Sequence, residues 1–335
     1  MQVYENFPLI GHNTFGLAAR AERFVSVRSA DELREAARLP LPKRLIGGGS
    51  NVLMTSELLE GLTIHVSIKG VEILGAAPHG GVLVRAMAGT VWHDLVQWTL
   101  SKGLSGLENL SLIPGTVGAS PIQNIGAYGV ELCDVFQELE ALHLESGQTR
   151  RFTAEECAFG YRDSVFKREL KGQYAILAVT LRLRTEPALR LDYGDIRQML
   201  AEMGVTNPGP RDVGEAVCRI RRAKLPDPAQ LGNAGSFFKN PVVPQALFEA
   251  CRAAHPEIPG YPGPNGVKVP AGWLIERSGW KGRRIGPTGC HDKQALVLVN
   301  HGGATGRDVA ALSDQIRRDV LERFGIALET EVNFW

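Results

Sequence analysis

Apolar and polar positions along this 335-residue chain form short runs separated by turn residues, and the period of each run predicts its element. Residues 24–27, Phe-Val-Ser-Val, read as a strand. Ser29 and Glu32 have capping-box spacing and open a helix toward Leu39. Residues 44–46 read as a strand running into Gly47-Gly48-Gly49-Ser50-Asn51, and residues 62–66 as another. Strand, helix, strand, glycine turn and strand predict a small α/β unit closing near residue 67.

Residues 82–87 read as a strand, and Thr90 is expected to cap a helix ending at Gly103. Residues 103–129 then lack any period and are rich in Gly, Asn, Ser and Pro. A stretch of that length inside a compact domain points to function. Residues 138–145 and 148–152, joined through Ser146-Gly147, predict a hairpin, and residues 173–184 a strand at the end of this domain. Val213, Ala216, Val217 and Ile220 recur at helical spacing over residues 211–224. Arg219, Arg221, Arg222 and Lys224 crowd the end of that helix, where cations suit its dipole. Residues 226–270 are broken by prolines and glycines. A last helix over 305–324 has Val309, Leu312, Ile316, Val320 and Phe324 on one face and Gly325 as its stop; residues 328–334 read as a closing strand.

Composition narrows the function. With 37 Lys+Arg against 36 Asp+Glu the net charge is +1, so no overall field recruits nucleic acid or an anionic membrane, and neither is expected as a partner. Apolar residues at 44 % and charged residues at 22 % suit a globular chain, and this length suits two or three domains. Cys133, Cys157, Cys218, Cys251 and Cys290 include no CxxC pair and read as reduced thiols. His12, His65, His79, His93, His143, His255, His291 and His301 lack a metal-ligand spacing, so no metal site is expected. The longest apolar runs, 175–179 and 295–299, are too short to span a bilayer, and residues 1–6 lack signal-peptide character. A cytoplasmic location is the expectation.

The candidate chemistry lies in the loops. Residues 47–51 follow a strand and can present bare amides to an anion, but the run is neither a P-loop nor GxGxxG; alone, a permissive turn explains it as well. A second cluster, Pro114-Gly115-Thr116-Val117-Gly118-Ala119, precedes Gln123-Asn124-Ile125-Gly126-Ala127-Tyr128-Gly129. Two amide-rich loops can hold the two halves of a pyrophosphate, with Ser50, Asn51 and Thr116 adding hydrogen bonds.

Five segments in order carry a resemblance: residues 47–51, residues 114–129, Tyr161-Arg162-Asp163-Ser164-Val165-Phe166-Lys167, Gly232-Asn233-Ala234-Gly235-Ser236-Phe237-Phe238-Lys239-Asn240-Pro241, and Leu328-Glu329-Thr330-Glu331-Val332. From Asn13-Thr14-Phe15 to Val332 the chain resembles the UDP-N-acetylenolpyruvoylglucosamine reductases, flavoenzymes of peptidoglycan precursor synthesis, in their longer subtype with a mobile tyrosine loop. The resemblance implies an α+β fold: an FAD-binding pair of subdomains of the vanillyl-alcohol-oxidase type and a C-terminal α+β substrate-binding domain. The expected boundaries are 1–67 for the first FAD subdomain, 68–225 with 326–335 for the second, and 226–325 for the substrate domain.

It further implies non-covalent FAD, NADPH as co-substrate, and reduction of UDP-N-acetylglucosamine enolpyruvate to UDP-N-acetylmuramate by a monomer of the bacterial cytoplasm. The FAD contacts it implies are Gly47, Gly48, Gly49, Ser50 and Asn51 in one loop, Pro114, Gly115, Thr116, Gly118 and Ala119 in the other, and Ile125 and Gly126 beyond. Ser236 matches the proton donor, and Arg162 and Glu331 the other catalytic positions; Glu331 either orients Arg162 or helps deliver the proton. Arg221, Lys224 and Lys239 are cations for the substrate pyrophosphate. Tyr193 matches the mobile-loop tyrosine, and Tyr128, Tyr161, Asn240 and Gln294 are further substrate contacts. An oxidase of the same fold and a catalytically dead nucleotide-sugar binding protein are the competing readings; Ser236 with Glu331 is a pair that neither requires.

Overall fold

The computed structural model describes residues 1–77, 80–263 and 265–335; the expectation for His79 lies outside them. Two compact units divide the chain. The first comprises residues 1–7, 21–48 and 60–223, the second residues 8–20, 49–59 and 224–335.

A four-stranded sheet ordered Tyr4–Pro8, Arg20–Val27, Leu58–Val66, Lys43–Ile46 lies chiefly in the first unit. Helix Ala30–Ala37 turns Leu33, Ala36 and Ala37 into a core shared with Leu62, Ile64, Leu142 and Leu177. Ser29 caps it as expected, accepting the Glu32 N–H at 3.1 Å. The Glu32 carboxylate, however, takes the N–H of Arg28 at 2.6 Å, so the box is only half closed.

A five-stranded antiparallel sheet follows in the same unit, ordered Thr149–Thr153, Phe136–His143, Tyr174–Leu183, Val82–Met87, Val71–Ala76. The expected hairpin is present, with Gly147 at φ +69° in its turn. The strand expected at 173–184 is the central one. Its unbroken run from Ala175 to Leu181 is buried because both flanks are paired and both faces are covered. Thr90 does not cap the next helix. Trp92–Ser101 starts at Val91 without a side-chain cap, and the Thr90 hydroxyl instead exchanges hydrogen bonds with Gly70, accepting its N–H at 3.2 Å and donating to its carbonyl at 3.1 Å. Helix Pro210–Lys224 buries Val213, Ala216, Val217 and Ile220, the expected face, against Ile196 and Leu200.

The second unit carries a sheet ordered Gly232–Ser236, Val297–Asn300, Thr288–Cys290, Arg284–Ile285, and a small one ordered Val242–Val243, Gly266–Lys268, Tyr261–Gly263. Its longest helix, Gly306–Phe324, matches its expectation. Thr305 and Asp308 form a complete capping box, of about 1 kcal/mol, the five apolar residues named above are buried, and Gly325 ends the helix at φ +67°. Helix Gln245–Ala254 lies inside the proline- and glycine-rich stretch and was not expected there. It buries only Phe248 and Cys251, too few apolar positions to register as a period.

The closing strand is shorter than expected. Only Asn333–Phe334 pairs continuously, in parallel with Val52–Leu53. Residues 328–332 are joined by a single bridge, Phe238 to Thr330, and they alternate because Leu328 and Val332 are buried core residues rather than members of a ladder. All five cysteines are unpaired, and burial pushes the thiols of Cys157 and Cys290 up to about 12, which keeps them protonated and inert. Among the described residues no helix is long and apolar enough to cross a membrane, and no group of His, Cys, Asp and Glu is placed to hold a metal.

Candidate active site

The first glycine loop is divided between the units, with Gly47 and Gly48 in the first and Gly49, Ser50 and Asn51 in the second. A Cβ on Gly47 would lie 2.3 Å from Thr116 Oγ1, and one on Gly48 3.1 Å from the Gly115 Cα. The two glycine loops therefore approach so closely that side chains have no room, and their backbone groups form the surface. The second loop is anchored from below: Gly118 N–H donates to the Ala88 carbonyl at 2.8 Å and Val117 N–H to that of Thr90 at 2.9 Å, beyond the end of strand Val82–Met87. Such a cradle of bare amides is what a pyrophosphate requires, so the residues present fit the diphosphate of FAD. In the second unit Gly49 adopts φ +61°, where a Cβ would collide with the His12 carbonyl, and its own carbonyl accepts the Thr14 N–H at 3.1 Å. The early Asn13-Thr14-Phe15 is tied in by the buried Asn13 side chain, which bonds Leu9 and Leu17.

Arg162 sits in a tight turn at φ +54°, a conformation that a non-glycine residue adopts only where its surroundings impose it. Its Nη2 donates to the Gly126 carbonyl at 2.6 Å, its Nη1 lies 3.9 Å from Glu131 Oε1, and its guanidinium lies 5.4 Å from the centre of the Tyr161 ring. The turn is held by Asn124, a buried side chain. Its Nδ2 reaches Glu131 Oε2 at 2.9 Å and the Gly160 carbonyl at 3.1 Å, and its Oδ1 accepts the Cys133 N–H at 3.0 Å. Asn124 and Glu131 are thus supports of Arg162 that sequence reasoning missed; the one signal was the place of Asn124 between the expected contacts Ala119 and Ile125. Ile125 N–H bonds the Ser120 carbonyl at 3.1 Å, which fixes the link between the loop and Gly126.

Tyr128 and Tyr193 are brought together within the first unit. A Cβ on Gly194 would contact the Tyr128 ring at 3.5 Å, and one on Gly129 the Tyr193 side chain at 3.4 Å. The buried amide of Asn109 donates to both the Tyr128 and Arg190 carbonyls at 2.9 Å, clamping the two loops, while Tyr193 itself is 56 % exposed. Arg221 lies near Tyr128 and donates from Nε to the Leu112 carbonyl at 3.2 Å. Burial pulls its pKa down, against Tyr128 and Cys218, which raise it. Lys224, at the end of the same helix, is exposed.

The second unit holds Ser236 and Glu331. Gly235, at φ +69°, makes a bulge in Gly232–Ser236, and the buried Asn233 side chain secures it by accepting the Gly235 N–H at 2.9 Å and donating to the Leu231 carbonyl at 2.8 Å. Ser236 is exposed at the end of that strand, opposite Val297. Glu331 N–H donates to the carbonyl of Phe237 at 2.8 Å, and its own carbonyl accepts Asn51 Nδ2 at 3.2 Å, so the Glu331 backbone is tied to the residue after Ser236 and to the Asn51 side chain. Lys239 pairs with Glu329 at 3.3 Å. Asn240 Oδ1 accepts the Ala271 N–H at 2.9 Å, at the start of helix Ala271–Arg277, and Gln294 Oε1 accepts that of Leu296 at 3.4 Å. Arg162, in the first unit, and the pair Ser236 and Glu331, in the second, are built on separate frames.

Residues 227–335 match the family model of the UDP-N-acetylenolpyruvoylglucosamine reductase C-terminal domain, and residues 21–153 that of an FAD binding domain. The chain is 52% identical to the UDP-N-acetylenolpyruvoylglucosamine reductase of Pseudomonas aeruginosa, over 100% of this chain and 99% of that protein. The chain belongs to the UDP-N-acetylenolpyruvoylglucosamine reductase family. A second reductase, from an Azoarcus species, is 52% identical over 96% of this chain and 94% of its own length. The crystal structure of the Thermus caldophilus reductase superimposes with a TM-score of 0.67 at 26% identity, covering 100% of this chain and 98% of that one. A VAO-type flavoprotein from Myceliophthora thermophila superimposes at 0.52 with 14% identity, over 95% and 73% of the two chains, a likeness of fold alone. The reductase family accounts for the absence of GxGxxG, because its FAD-binding fold is the vanillyl-alcohol-oxidase type rather than a Rossmann fold. The α+β fold expected from the resemblance is the one observed.

Proposed function

We infer that this chain reduces UDP-N-acetylglucosamine enolpyruvate to UDP-N-acetylmuramate in peptidoglycan precursor synthesis, with NADPH as reductant and FAD as cofactor. The observation that carries the reading is the 52% identity over the full chain, joined to a glycine cradle of the right chemistry. Bound FAD supplies the two-electron relay between NADPH and the enolpyruvyl double bond.

The chain's own residues bind, orient and deliver one proton. Gly47, Gly48, Gly49, Ser50 and Asn51 with Pro114, Gly115, Thr116, Gly118 and Ala119 hold the FAD pyrophosphate and ribityl chain, and Ile125 and Gly126 flank it. Ser236 donates the proton to the substrate carbon. A serine is a weak acid, but the carbanion it meets, delocalised into the carboxylate, is a strong base, so the transfer need not be uphill. Arg162 stabilises that developing charge from the carboxylate side, with Glu131 and Asn124 holding its guanidinium in place. Glu331 orients Arg162 or assists the proton.

Arg221, Lys224 and Lys239 take the substrate pyrophosphate. The Lys239–Glu329 pair is largely exposed on the Glu329 side and worth under about 1 kcal/mol, so a phosphate displaces it readily. Tyr161, Asn240 and Gln294 complete the contacts, the two amides through their NH2 groups. Residues 1–67, then 68–225 with 326–335, form the FAD-binding pair in this reading, and residues 226–325 the substrate domain. A bacterial cytoplasm and a monomeric state accompany it.

One anaerobic titration tests the reading. NADPH is added to the purified flavoprotein until its visible bands bleach, and UDP-N-acetylglucosamine enolpyruvate is then added without oxygen. Recovery of the oxidised spectrum is expected; bleaching without recovery moves the assignment to an oxidase, and failure to bleach moves it to a nucleotide-sugar binding protein. The exposed Tyr193, with Tyr128 beneath its loop, gives a second prediction. Tyr193→Phe should raise the KM for the UDP-sugar about tenfold while the flavin spectrum is unchanged. An unaltered KM would remove Tyr193 from the site.

A further inference from the structure

The first turn of helix Trp92–Ser101 is bonded three times to the segment that leads into the second glycine loop. Trp92 Nε1 donates to the Leu110 carbonyl at 3.0 Å, Leu112 N–H donates to His93 Nδ1 at 2.9 Å, and Trp92 N–H donates to the Gly115 carbonyl at 3.0 Å. From the facing helix, Arg221 Nε donates to the Leu112 carbonyl. Both polar groups of Leu112 are therefore held by side chains, while its own φ is +58°. Left-handed backbone brings the leucine Cβ too close to the following carbonyl oxygen and persists only where the surroundings over-determine it. His93 and Arg221 do so, two residues before Pro114.

We propose that His93 is a positioning residue that, by accepting the Leu112 N–H, holds residues 112–115 and the loop 114–119 in the conformation that receives FAD. The proposal rests on the FAD assignment of that loop. Accepting at Nδ1 requires the proton on Nε2, so the imidazole must be neutral. Its surroundings keep it so. Burial lowers its pKa, Arg222 and Arg221 on helix Pro210–Lys224 lower it further, and Asp94 beside it opposes them. Protonation would put a second donor against the Leu112 N–H and release the strained residue. A histidine whose folded pKa lies below its ordinary value contributes fully above about pH 6.5, and that contribution is lost as the pH falls below that value. FAD affinity, which depends on the folded protein, should fall as the pH drops through that lowered pKa.

The test is fluorescence titration of FAD into apoprotein between pH 5 and 8, for the unsubstituted protein, His93→Asn and His93→Leu. The asparagine variant offers an amide oxygen close to the place of Nδ1 but does not titrate; the leucine variant offers no acceptor. The unsubstituted protein is expected to lose FAD affinity several-fold from pH 7 to 5. His93→Asn should bind within about threefold of it at pH 7 with a flatter profile, and His93→Leu about tenfold more weakly throughout. Equal affinity of His93→Leu and the unsubstituted protein at pH 7, or an unchanged pH profile in His93→Asn, would overturn the role. If His93→Leu does not fold, the His93→Asn profile decides alone. An unsubstituted apoprotein that takes up no FAD would instead defeat the assignment of the loop, and the role with it.

Discussion

Ser236→Ala should leave the reduction of bound flavin by NADPH at its original rate and slow reoxidation by the UDP-sugar about a thousandfold, the scale of a lost general acid. The expectation follows from what does and does not depend on the hydroxyl. The bulge that presents Ser236 is secured by Gly235 at φ +69° and by the buried Asn233 amide, so the alanine variant keeps its backbone. Removing the exposed hydroxyl leaves no buried group without a partner, and stability should hardly change. NADPH oxidation needs no proton on the substrate carbon; the second half-reaction does. Anaerobic stopped-flow measurement of the two halves separates them. A parallel fall in both would show that the serine supports the flavin site rather than the proton.

Glu331→Gln should lower kcat about a hundredfold or more, and Glu329→Gln should leave kcat nearly unchanged. The two glutamates are two residues apart in one extended segment, yet their settings differ. Glu331 is fixed through its backbone to Phe237 and Asn51, so a glutamine there keeps the geometry and removes the charge alone. Glu329 has a partner of its own in Lys239, 3.3 Å away. Neutralising it releases that cation, and the effect belongs in the KM of the anionic substrate, not in turnover. Steady-state kinetics of the two variants side by side test this, and equal losses of kcat would withdraw the assignment of Glu331.

Much of the framework was legible because local signals and burial agree. Helix Gly306–Phe324 was readable from its apolar spacing, its threonine cap and its terminal glycine, and each of these does in the structure what its chemistry suggests. The hairpin at Gly147 was legible for the same reason. Thr90 misled because a threonine hydroxyl bonds whichever backbone lies nearest, and the strand pairing brings Gly70 there. The closing strand is shorter than its pattern suggests because alternating burial of Leu328 and Val332 mimics a ladder that the backbone makes only at Thr330 and Asn333–Phe334.

The site divides along the same line. Which residues are candidates for the chemistry was legible in the chain: Ser236, Arg162, Glu331 and the two glycine loops stand in motifs whose order and spacing match the family, because reacting groups and bare amides are properties of residue type. How those residues are held was not. The Asn124–Glu131 support beneath Arg162 joins positions up to 36 residues apart. The closeness of Gly48 to Gly115 and the grip of His93 and Arg221 on Leu112 likewise join distant parts of the chain. Asparagine, glutamate and histidine have no fixed partner at such separations until strand pairing and core packing bring one within hydrogen-bond reach, so only the tertiary structure decides which of them become supports.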